Sequence, residues 1–237
     1  MTEALVLLPG MMCDSRVFTS QINALSRDRA VMVAPITQGE RVEEIASALI
    51  DVLPQRFALA GLGLGGVVAM EILRRVPDRV RRLCLMATHP LAESPTEAAA
   101  REPKIVGARA GRFDEVIAGL IPPDSLAPGA GRITVRAGLR AMAMDLGPEI
   151  FVRQSRALQR RRDQQSTLRK YRAPTLILCG GHDGVTPIRR HEVMADLMPA
   201  ARLEVIESAG HLPPLEAPEL TTAALRDWLQ APSGGRA

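Results

Sequence analysis

A glycine-rich turn has the spacing of a ligand-binding motif. Gly61, Gly63 and Gly66 follow an apolar run at residues 57–60 and precede a segment of helical periodicity. In letters they match G-x-G-x-x-G, in which N–H groups at the start of a helix bind the pyrophosphate of a dinucleotide. That motif normally follows the first strand, with an acidic residue about twenty positions later. Here the turn follows the third predicted strand and the next one ends in residues 87–89, Ala-Thr-His, so its position argues against a dinucleotide site.

The same turn resembles the nucleophile elbow of the α/β-hydrolase family. In that family a strand, a sharp turn and a helix carry the motif G-x-S-x-G, with the catalytic serine at its centre. Gly61 and Gly65 occupy the two flanking positions, and Gly63 occupies the position of the serine. Glycine adopts the strained backbone conformation of the central residue without a steric penalty. We therefore expect the turn to form, but without the attacking oxygen.

The segment after the first predicted strand resembles the oxyanion loop of the same family. Residues 7–14 match this loop, with Pro9 in place of the usual histidine of a His-Gly pair. The resemblance implies that the backbone N–H groups of Met11 and Leu64 bind a developing oxyanion. Because these donors belong to the main chain, they do not depend on a serine at the turn.

Two further loops resemble those that carry the acid and the histidine of the family's catalytic triad. Residues 178–187 follow a predicted strand, and the resemblance places the triad acid at Asp183. The alternative acid position, after the fourth strand, has no carboxylate. Residues 208–218 follow the last predicted strand and precede the last helix, which implies that His211 is the catalytic histidine. The order of nucleophile position, Asp183 and His211 is the order expected of this fold.

The other histidines and the cysteines are weaker candidates for chemistry. His89 follows the fourth predicted strand and could face the site. His182 precedes the predicted acid, and we expect His191, within a helix, to lie at the surface. Cys13 lies near the predicted oxyanion loop without a basic neighbour in sequence, which favours packing over a nucleophilic role. The three cysteines match no zinc spacing, and we predict neither a metal nor a cofactor.

The elements that must position these residues follow the pattern of repeated βαβ units. Short apolar runs typical of buried strands occur at residues 4–8, 30–34, 57–60, 83–87, 175–179 and 203–206. Helical periodicity occurs at residues 16–25, 42–53, 64–76, 188–197 and 218–229. This alternation predicts an α/β fold with a mostly parallel, six-stranded, doubly wound sheet, as in α/β-hydrolases.

The alternation stops between about residues 91 and 171, where helical segments separated by prolines and glycines replace it. An insertion of this length is too long for a plain crossover loop. We predict that residues 1–90 and 172–232 form the α/β core and that residues 91–171 form a helical cap over the carboxyl edge of the sheet. Residues 233–237 are predicted to be a disordered tail.

Composition narrows the expected partners. The net charge is +4, from 30 basic and 26 acidic residues, and aromatic residues make up 3%, which argues against a nucleic-acid partner. No apolar run approaches the roughly 18 residues of a membrane span, and the first strand has no basic flank, so we expect a soluble cytoplasmic protein without a membrane partner. The composition leaves the oligomeric state open.

A basic stretch runs from Arg153 to Arg172. It contains seven arginines and Lys170 against a single acidic residue, Asp163. The stretch is either a solvated helical surface of the cap or a docking site for an anionic carrier or substrate, and the first interpretation is the commoner one for a charge run.

The resemblance implies acyl transfer to water from a small-molecule ester, thioester, lactone or similar acyl substrate. With Gly63 at the turn, three hypotheses remain. The chain is an inactivated form of a serine hydrolase, which the retained Asp183 and His211 favour. Alternatively, His211 acts directly as a general base on water or on an acidic C–H, in a hydrolysis, lyase or isomerase reaction. Third, the protein only binds a ligand.

Overall fold

A six-stranded parallel sheet forms the centre of the structure, a computed structural model that describes residues 3–232. The strands are β1 (Ala4–Leu8), β2 (Val31–Val33), β3 (Phe57–Leu62), β4 (Val80–Met86), β5 (Thr175–Gly180) and β6 (Ala201–Ile206). Their order across the sheet is β2-β1-β3-β4-β5-β6, and every neighbouring pair is parallel. The predicted fold class is confirmed. The predicted tail, residues 233–237, lies outside the described residues.

Helices connect the strands and cover both faces of the sheet. They are α1 (Thr19–Leu25), α2 (Val42–Ile50), α3 (Leu64–Arg75), α4 (Pro95–Arg109), α5 (Phe113–Ala118), α6 (Gly131–Leu146), α7 (Pro148–Gln159), α8 (Gln165–Lys170), α9 (Ile188–Asp196), α10 (Pro213–Glu216) and α11 (Pro218–Gln230). Two short 3-10 helices occur at Ser15–Phe18 and Pro123–Ser125. No helix within residues 3–232 is long and apolar enough to cross a lipid bilayer.

Alternate side chains of each inner strand enter different apolar layers. In β1, Leu5 and Leu7 pack in the layer that contains α1 and α11, whereas Val6 and Leu8 pack in the layer with α2, α3 and α9. All four side chains are fully buried. Burial on both faces explains the uninterrupted apolar runs of the sequence, because parallel strands are normally covered on both sides. The sheet is therefore a rigid support for the loops at its carboxyl edge.

The chain between β4 and β5 forms helices α4 to α8 instead of a single crossover helix. A third apolar cluster joins α4, α5, α6 and α7, and the rings of Phe113 and Phe151 meet edge to face in it with centroids 6.0 Å apart. Met12, which follows β1, is fully buried in the same cluster. Helix α8 instead packs through Leu168 into the core layer that contains α3. The insertion is thus anchored to the loop after β1 by apolar contacts.

Candidate active site

The turn between β3 and α3 places Gly63 at the carboxyl edge of the sheet. Its backbone has φ +51° and ψ −115°, a conformation that side chains of L-residues rarely adopt. A Cβ built on Gly63 has no neighbour closer than 3.9 Å and lies 4.0 Å from Nε2 of His211. Space therefore permits a side chain at this position, and only the backbone conformation favours glycine. The Cβ of any side chain there would lie in van der Waals contact with the imidazole of His211.

The flanking glycines are required for a different reason. A Cβ on Gly61 would overlap the backbone of Gly65 and Gly66, and a Cβ on Gly65 would overlap the carbonyl oxygens of Leu8 and Pro9. Strand β3, helix α3 and the loop after β1 therefore approach one another too closely for any other residue. This close approach brings the loop after β1 next to the turn.

Asp183 and His211 form a hydrogen-bonded pair at the carboxyl ends of β5 and β6. Nδ1 of His211 lies 2.9 Å and 3.0 Å from the two carboxylate oxygens of Asp183. The carboxylate also accepts hydrogen bonds from the N–H groups of Val185 and Thr186 and from the Thr186 hydroxyl, at 2.9, 2.8 and 2.6 Å. Burial on its own raises the pKa of Asp183, but these hydrogen bonds outweigh burial and hold the pKa below its ordinary value.

This pairing fixes the orientation of the imidazole. When the Nδ1–H of His211 donates to the Asp183 carboxylate, Nε2 is the ring nitrogen that faces Gly63 and carries a free lone pair. A neutral histidine in this orientation can accept a proton from a group at the turn and return it later. The structure therefore brings Gly63, Asp183 and His211 together at the carboxyl edge of the sheet.

The loop that carries His211 is held by the carboxylate of Glu216, a residue that no sequence motif singles out. Glu216, at the end of α10, accepts hydrogen bonds from the N–H groups of Gly210 and Leu212, which flank the histidine, at 2.9 and 2.7 Å. It also accepts one from the N–H of Ala127 in the insertion at 2.6 Å. The N–H of His211 itself donates to the carbonyl oxygen of Ser125 at 2.8 Å. The insertion and the histidine loop are thus tied together.

The N–H groups of Met11 and Leu64 are free to bind a ligand. Neither donates a hydrogen bond to another described residue, and both residues line the same cavity as Gly63. Leu64 is the first residue of α3, where N–H groups lack intrahelical acceptors and the helix dipole favours negative charge. This arrangement can stabilise an oxyanion.

A side chain from the insertion shapes the loop after β1. The N–H of Met12, a residue with φ +55°, donates a 2.9 Å hydrogen bond to Oε1 of Gln154 on α7. Nε2 of Gln154 donates to the carbonyl oxygen of Ile36 at 3.2 Å. Gln154 is fully buried, so it fixes Met12 and leaves the preceding N–H, that of Met11, for a ligand. No sequence signal indicates this contact, because 142 residues separate the two partners.

A cavity of about 400 Å³ lies between the turn and the insertion. Its apolar part includes Met11, Leu64, Phe151 and Leu158, and its polar part includes His89 together with charged side chains from α4, α9 and the segment after α7. A wider depression of about 850 Å³ lies near the amino-terminal ends of β4 and β5 and contains neither Asp183 nor His211. In open α/β sheets ligands bind at the carboxyl ends of strands, so the smaller cavity is the candidate site.

The expectation that His191 lies at the surface is wrong. His191 is fully buried, since it shares the inward face of α9 with Met194. Its Nε2 accepts a hydrogen bond from the N–H of Thr88 at 3.2 Å, and its Nδ1 lies 3.3 Å from the carbonyl oxygen of Pro187. Burial lowers its pKa, so the ring is neutral. His191 thereby joins the loop after β4 to the loop that carries Asp183.

The remaining candidates separate into exposed, buried and cavity-lining residues. His182 is exposed, whereas His89 lines the cavity. Cys13 also borders the cavity, but burial raises the pKa of its thiol to about 12, so it is not a thiolate near neutral pH. Within residues 3–232 there is no group of three or more side chains of histidine, cysteine, aspartate or glutamate that could hold a metal ion.

The basic stretch contains side chains of two kinds. Arg156 and Arg162 form ion pairs with Glu102 and Glu43 on the protein surface. Arg161, in contrast, is only 9% exposed and lines the cavity. Three consecutive arginines, at positions 160 to 162, therefore have different environments, which charge counting along the sequence does not reveal.

The fold and the edge-of-sheet loops define an α/β-hydrolase. The profile described as alpha/beta hydrolase family matches residues 5–224, and the chain belongs to this family. It is 32% identical over 203 residues to a pimeloyl-[acyl-carrier protein] methyl ester esterase of Neisseria meningitidis serogroup C, covering 83% of this chain and 78% of the relative.

Solved structures agree with this assignment. A thermophilic esterase from Thermogutta terrifontis superposes with a TM-score of 0.87 at 27% identity, over 96% of this chain and 89% of the esterase. The enol-lactonase from Burkholderia xenovorans superposes with a TM-score of 0.84 at 20% identity, over 97% of this chain and 92% of the lactonase, and shows the shared fold. Both the Neisseria meningitidis relative and the Thermogutta terrifontis protein carry the name esterase.

Proposed function

We propose that this chain carries the active site of an ester hydrolase in which the nucleophile position is occupied by Gly63. In this proposal His211 is the general base, Asp183 orients and stabilises its imidazolium, and the N–H groups of Met11 and Leu64 form the oxyanion hole. Support comes from the pairing of His211 with Asp183 at 2.9 Å and from the two free N–H groups at the same cavity. The glycine form is then an inactive or strongly impaired member of a hydrolase family.

One distance carries the proposal. A Cβ at position 63 lies 4.0 Å from Nε2 of His211, and nothing else comes closer than 3.9 Å. A serine hydroxyl is one bond beyond Cβ, so it can reach hydrogen-bonding distance of Nε2 without displacing another atom. This geometry is the one that a serine nucleophile needs, because the histidine must take the hydroxyl proton as the oxygen attacks the ester carbonyl.

The steps in a Gly63→Ser variant follow from the described geometry. The serine oxygen attacks the carbonyl carbon while Nε2 of His211 accepts its proton, and the oxyanion forms beside Met11 and Leu64. His211 then returns the proton to the leaving alcohol, which leaves an acyl-enzyme. In the second half of the reaction, water attacks the acyl carbon while Nε2 of His211 accepts a proton from it. His211 then gives this proton to the serine oxygen as the acid is released. Asp183 remains ionised throughout, since its hydrogen bonds hold its pKa below the ordinary value.

The substrate class proposed is a small ester whose acyl chain lies in the apolar part of the cavity. Met11, Leu64, Phe151 and Leu158 line that part, and the cavity volume of about 400 Å³ is typical of small-molecule sites. The Neisseria meningitidis relative is named for a methyl ester of an acyl-carrier-protein conjugate. A carrier that docks on the exposed arginines between Arg153 and Arg172 remains a proposal.

A second candidate is direct attack by water without an acyl-enzyme. The observation in its favour is the room beside Gly63, where a Cβ would meet no atom closer than 3.9 Å and would lie 4.0 Å from Nε2 of His211. A general base in this position can activate water on a bound ester. Under this mechanism the glycine form is active, its activity is lost in His211→Ala, and Gly63→Ser gives no increase.

Covalent labelling tests the nucleophile position directly. The Gly63→Ser variant is expected to react with an aryl fluorophosphonate ester and gain the mass of one phosphonyl adduct at position 63, measured by mass spectrometry of the intact protein and its peptides. The glycine form and the double variant Gly63→Ser, His211→Ala are the matched controls and should stay unlabelled. A folded Gly63→Ser variant that is not labelled would contradict the assignment of the nucleophile position.

A further inference from the structure

The polar end of the cavity has more positive than negative charge. Four cationic side chains line it, from Arg101, Lys104, Arg161 and Arg190, whereas the carboxylates that line it belong to Glu93 and Glu97. Each carboxylate is already paired, because Arg101 binds Glu93 at 2.5 Å and Arg190 binds Glu97 at 3.1 Å. Glu97 also accepts a hydrogen bond from the N–H of Ser94, the residue before the first turn of α4. Within residues 3–232, no carboxylate lies within ion-pair distance of Arg161.

Arg161 is buried beside a neutral partner. Its Nη2 lies 2.9 Å from Nε2 of His89, and Nη1 of Arg190 lies 2.6 Å from the same nitrogen. Burial and the two guanidinium groups lower the pKa of His89 to about 3, so the imidazole is uncharged and has one lone pair for two donors. Burial lowers the pKa of Arg161 to about 10, and the Glu93 carboxylate offsets this only in part. Arg161 therefore remains a buried cation near neutral pH.

The same pair of residues has hydrogen-bond donors without acceptors. Nε of Arg161 and Nδ1 of His89 are buried and have no hydrogen-bond partner among the described residues. With Nε2 of His89 acting as acceptor, the proton of the neutral ring lies on Nδ1. Unpaired buried donors and an unpaired buried charge are both unfavourable unless a ligand satisfies them. An excess of donors together with positive charge specifies an anionic ligand.

His89 connects this cluster to the turn. It follows Thr88, whose hydroxyl donates a 2.8 Å hydrogen bond to the carbonyl oxygen of Gly63, and both residues line the cavity with Arg161. A ligand can therefore contact the turn and the Arg161 cluster at the same time. The remaining wall is apolar, which suits a hydrocarbon chain between the two ends.

We propose that the cavity has a carboxylate-binding subsite formed by Arg161 with Lys104 and Arg190, so that the preferred substrates are esters that carry a free carboxylate. This inference rests on the proposed function for the position of the ester group, which lies at the Gly63 end. The carboxylate at the other end pairs with the guanidinium of Arg161, which lines the cavity and has no carboxylate partner within residues 3–232. Half-esters of dicarboxylic acids have this chemistry.

Binding to the glycine form tests the subsite without any turnover. Isothermal titration calorimetry would compare monomethyl adipate with dimethyl adipate, which differ only in the free carboxylate. We expect the monoester to bind at least about tenfold more tightly, the effect of one to two charge-assisted hydrogen bonds. Equal affinities, or tighter binding of the diester, would overturn the proposal. This comparison needs no variant and so does not depend on the folding of a mutant.

Variants locate the subsite. Arg161→Met is expected to abolish the preference for the monoester, and Arg162→Met, which changes the exposed neighbour that pairs with Glu43, is expected to keep it. A preference retained in folded Arg161→Met would contradict the assignment. Methyl phosphate and acetate are further probes. If methyl phosphate binds more tightly than acetate and this difference is lost in Arg161→Met, the ligand of the subsite is a phosphate ester and the carboxylate proposal is overturned.

The outcomes of the two proposals are separable. Preference for the monoester with no hydrolysis by Gly63→Ser would support the subsite and contradict the proposed function. Hydrolysis of both adipate esters by Gly63→Ser, at equal rates and with equal affinity, would support the proposed function and contradict the subsite.

Discussion

Replacement of Gly63 by alanine separates two reasons for a glycine at the turn, backbone conformation and space. A Cβ at this position meets no atom closer than 3.9 Å, so the substitution introduces no collision, but φ is +51°. Holding an alanine in this conformation costs about 1–3 kcal/mol. Alanine also restricts the unfolded chain, which offsets about 0.4–1 kcal/mol of that cost. The expected net loss of stability is about 1–2 kcal/mol, or about 2–8 °C in Tm for a chain of this length.

Three other glycine variants serve as controls. Gly111→Ala has φ +80° with nothing within 4 Å of its Cβ, so it should lose a similar amount of stability. Gly138→Ala, in the middle of α6 and without steric contacts, should gain up to about 1 kcal/mol from helix propensity. Gly65→Ala forces a Cβ against backbone carbonyl groups and should lose more than about 3 kcal/mol or fail to fold.

Urea unfolding followed by circular dichroism measures all four changes. A loss in Gly63→Ala as large as that in Gly65→Ala would show that space, and not backbone conformation, excludes side chains at the turn. That result would contradict the geometry on which a nucleophile at position 63 depends.

Three further changes test the supporting contacts. Glu216→Gln weakens three N–H hydrogen bonds around the histidine loop and should lower stability by about 1–3 kcal/mol, measured against exposed Glu219→Gln, which should change it by less than about 0.5 kcal/mol. Gln154→Leu leaves the N–H of Met12 without its acceptor. In a Gly63→Ser background this change should lower kcat by a larger factor than it raises KM. A larger effect on KM would contradict a role of Gln154 in positioning the oxyanion loop. The native pKa of Asp183 is depressed, so its stabilising contribution is present above the unfolded pKa of about 3.9 and is lost as the pH falls through the native pKa. The stability of Asp183→Asn should therefore fall less steeply below about pH 4 than that of the parent, and equal slopes would refute this assignment.

Local patterns in the sequence are sufficient to predict the sheet and the turn. Parallel strands buried on both faces appear in the sequence as short apolar runs. The glycines at positions 61 and 65 indicate a turn in which the backbones lie too close together for a Cβ. The strand β3 extends to Leu62, two residues beyond the predicted end, because its last residues still pair with β4. Boundaries of this kind depend on the neighbouring strand and are not local.

Contacts between distant segments could not be predicted. The burial of His191 depends on the side of α9 that packs against the core, and a polar residue on that side is not distinguished by periodicity. Arg161 lies between Arg160 and Arg162 in sequence, yet of these three only Arg161 lines the cavity. Its two neighbours form ion pairs with glutamates instead. The contact of Gln154 with the loop after β1 likewise requires the position of α7 over the sheet.

Hydrolysis of small activated esters by Gly63→Ser tests the central claim most directly. Loss of a serine nucleophile lowers kcat by about a millionfold in another serine hydrolase, so restoring it beside an intact pair of His211 and Asp183 should raise p-nitrophenyl ester hydrolysis by about a thousandfold or more. The same variant with His211→Ala should return to the rate of the glycine form. A folded Gly63→Ser protein, shown by its unfolding curve to be native, that hydrolyses none of a series of acyl chain lengths faster than the glycine form would contradict the account.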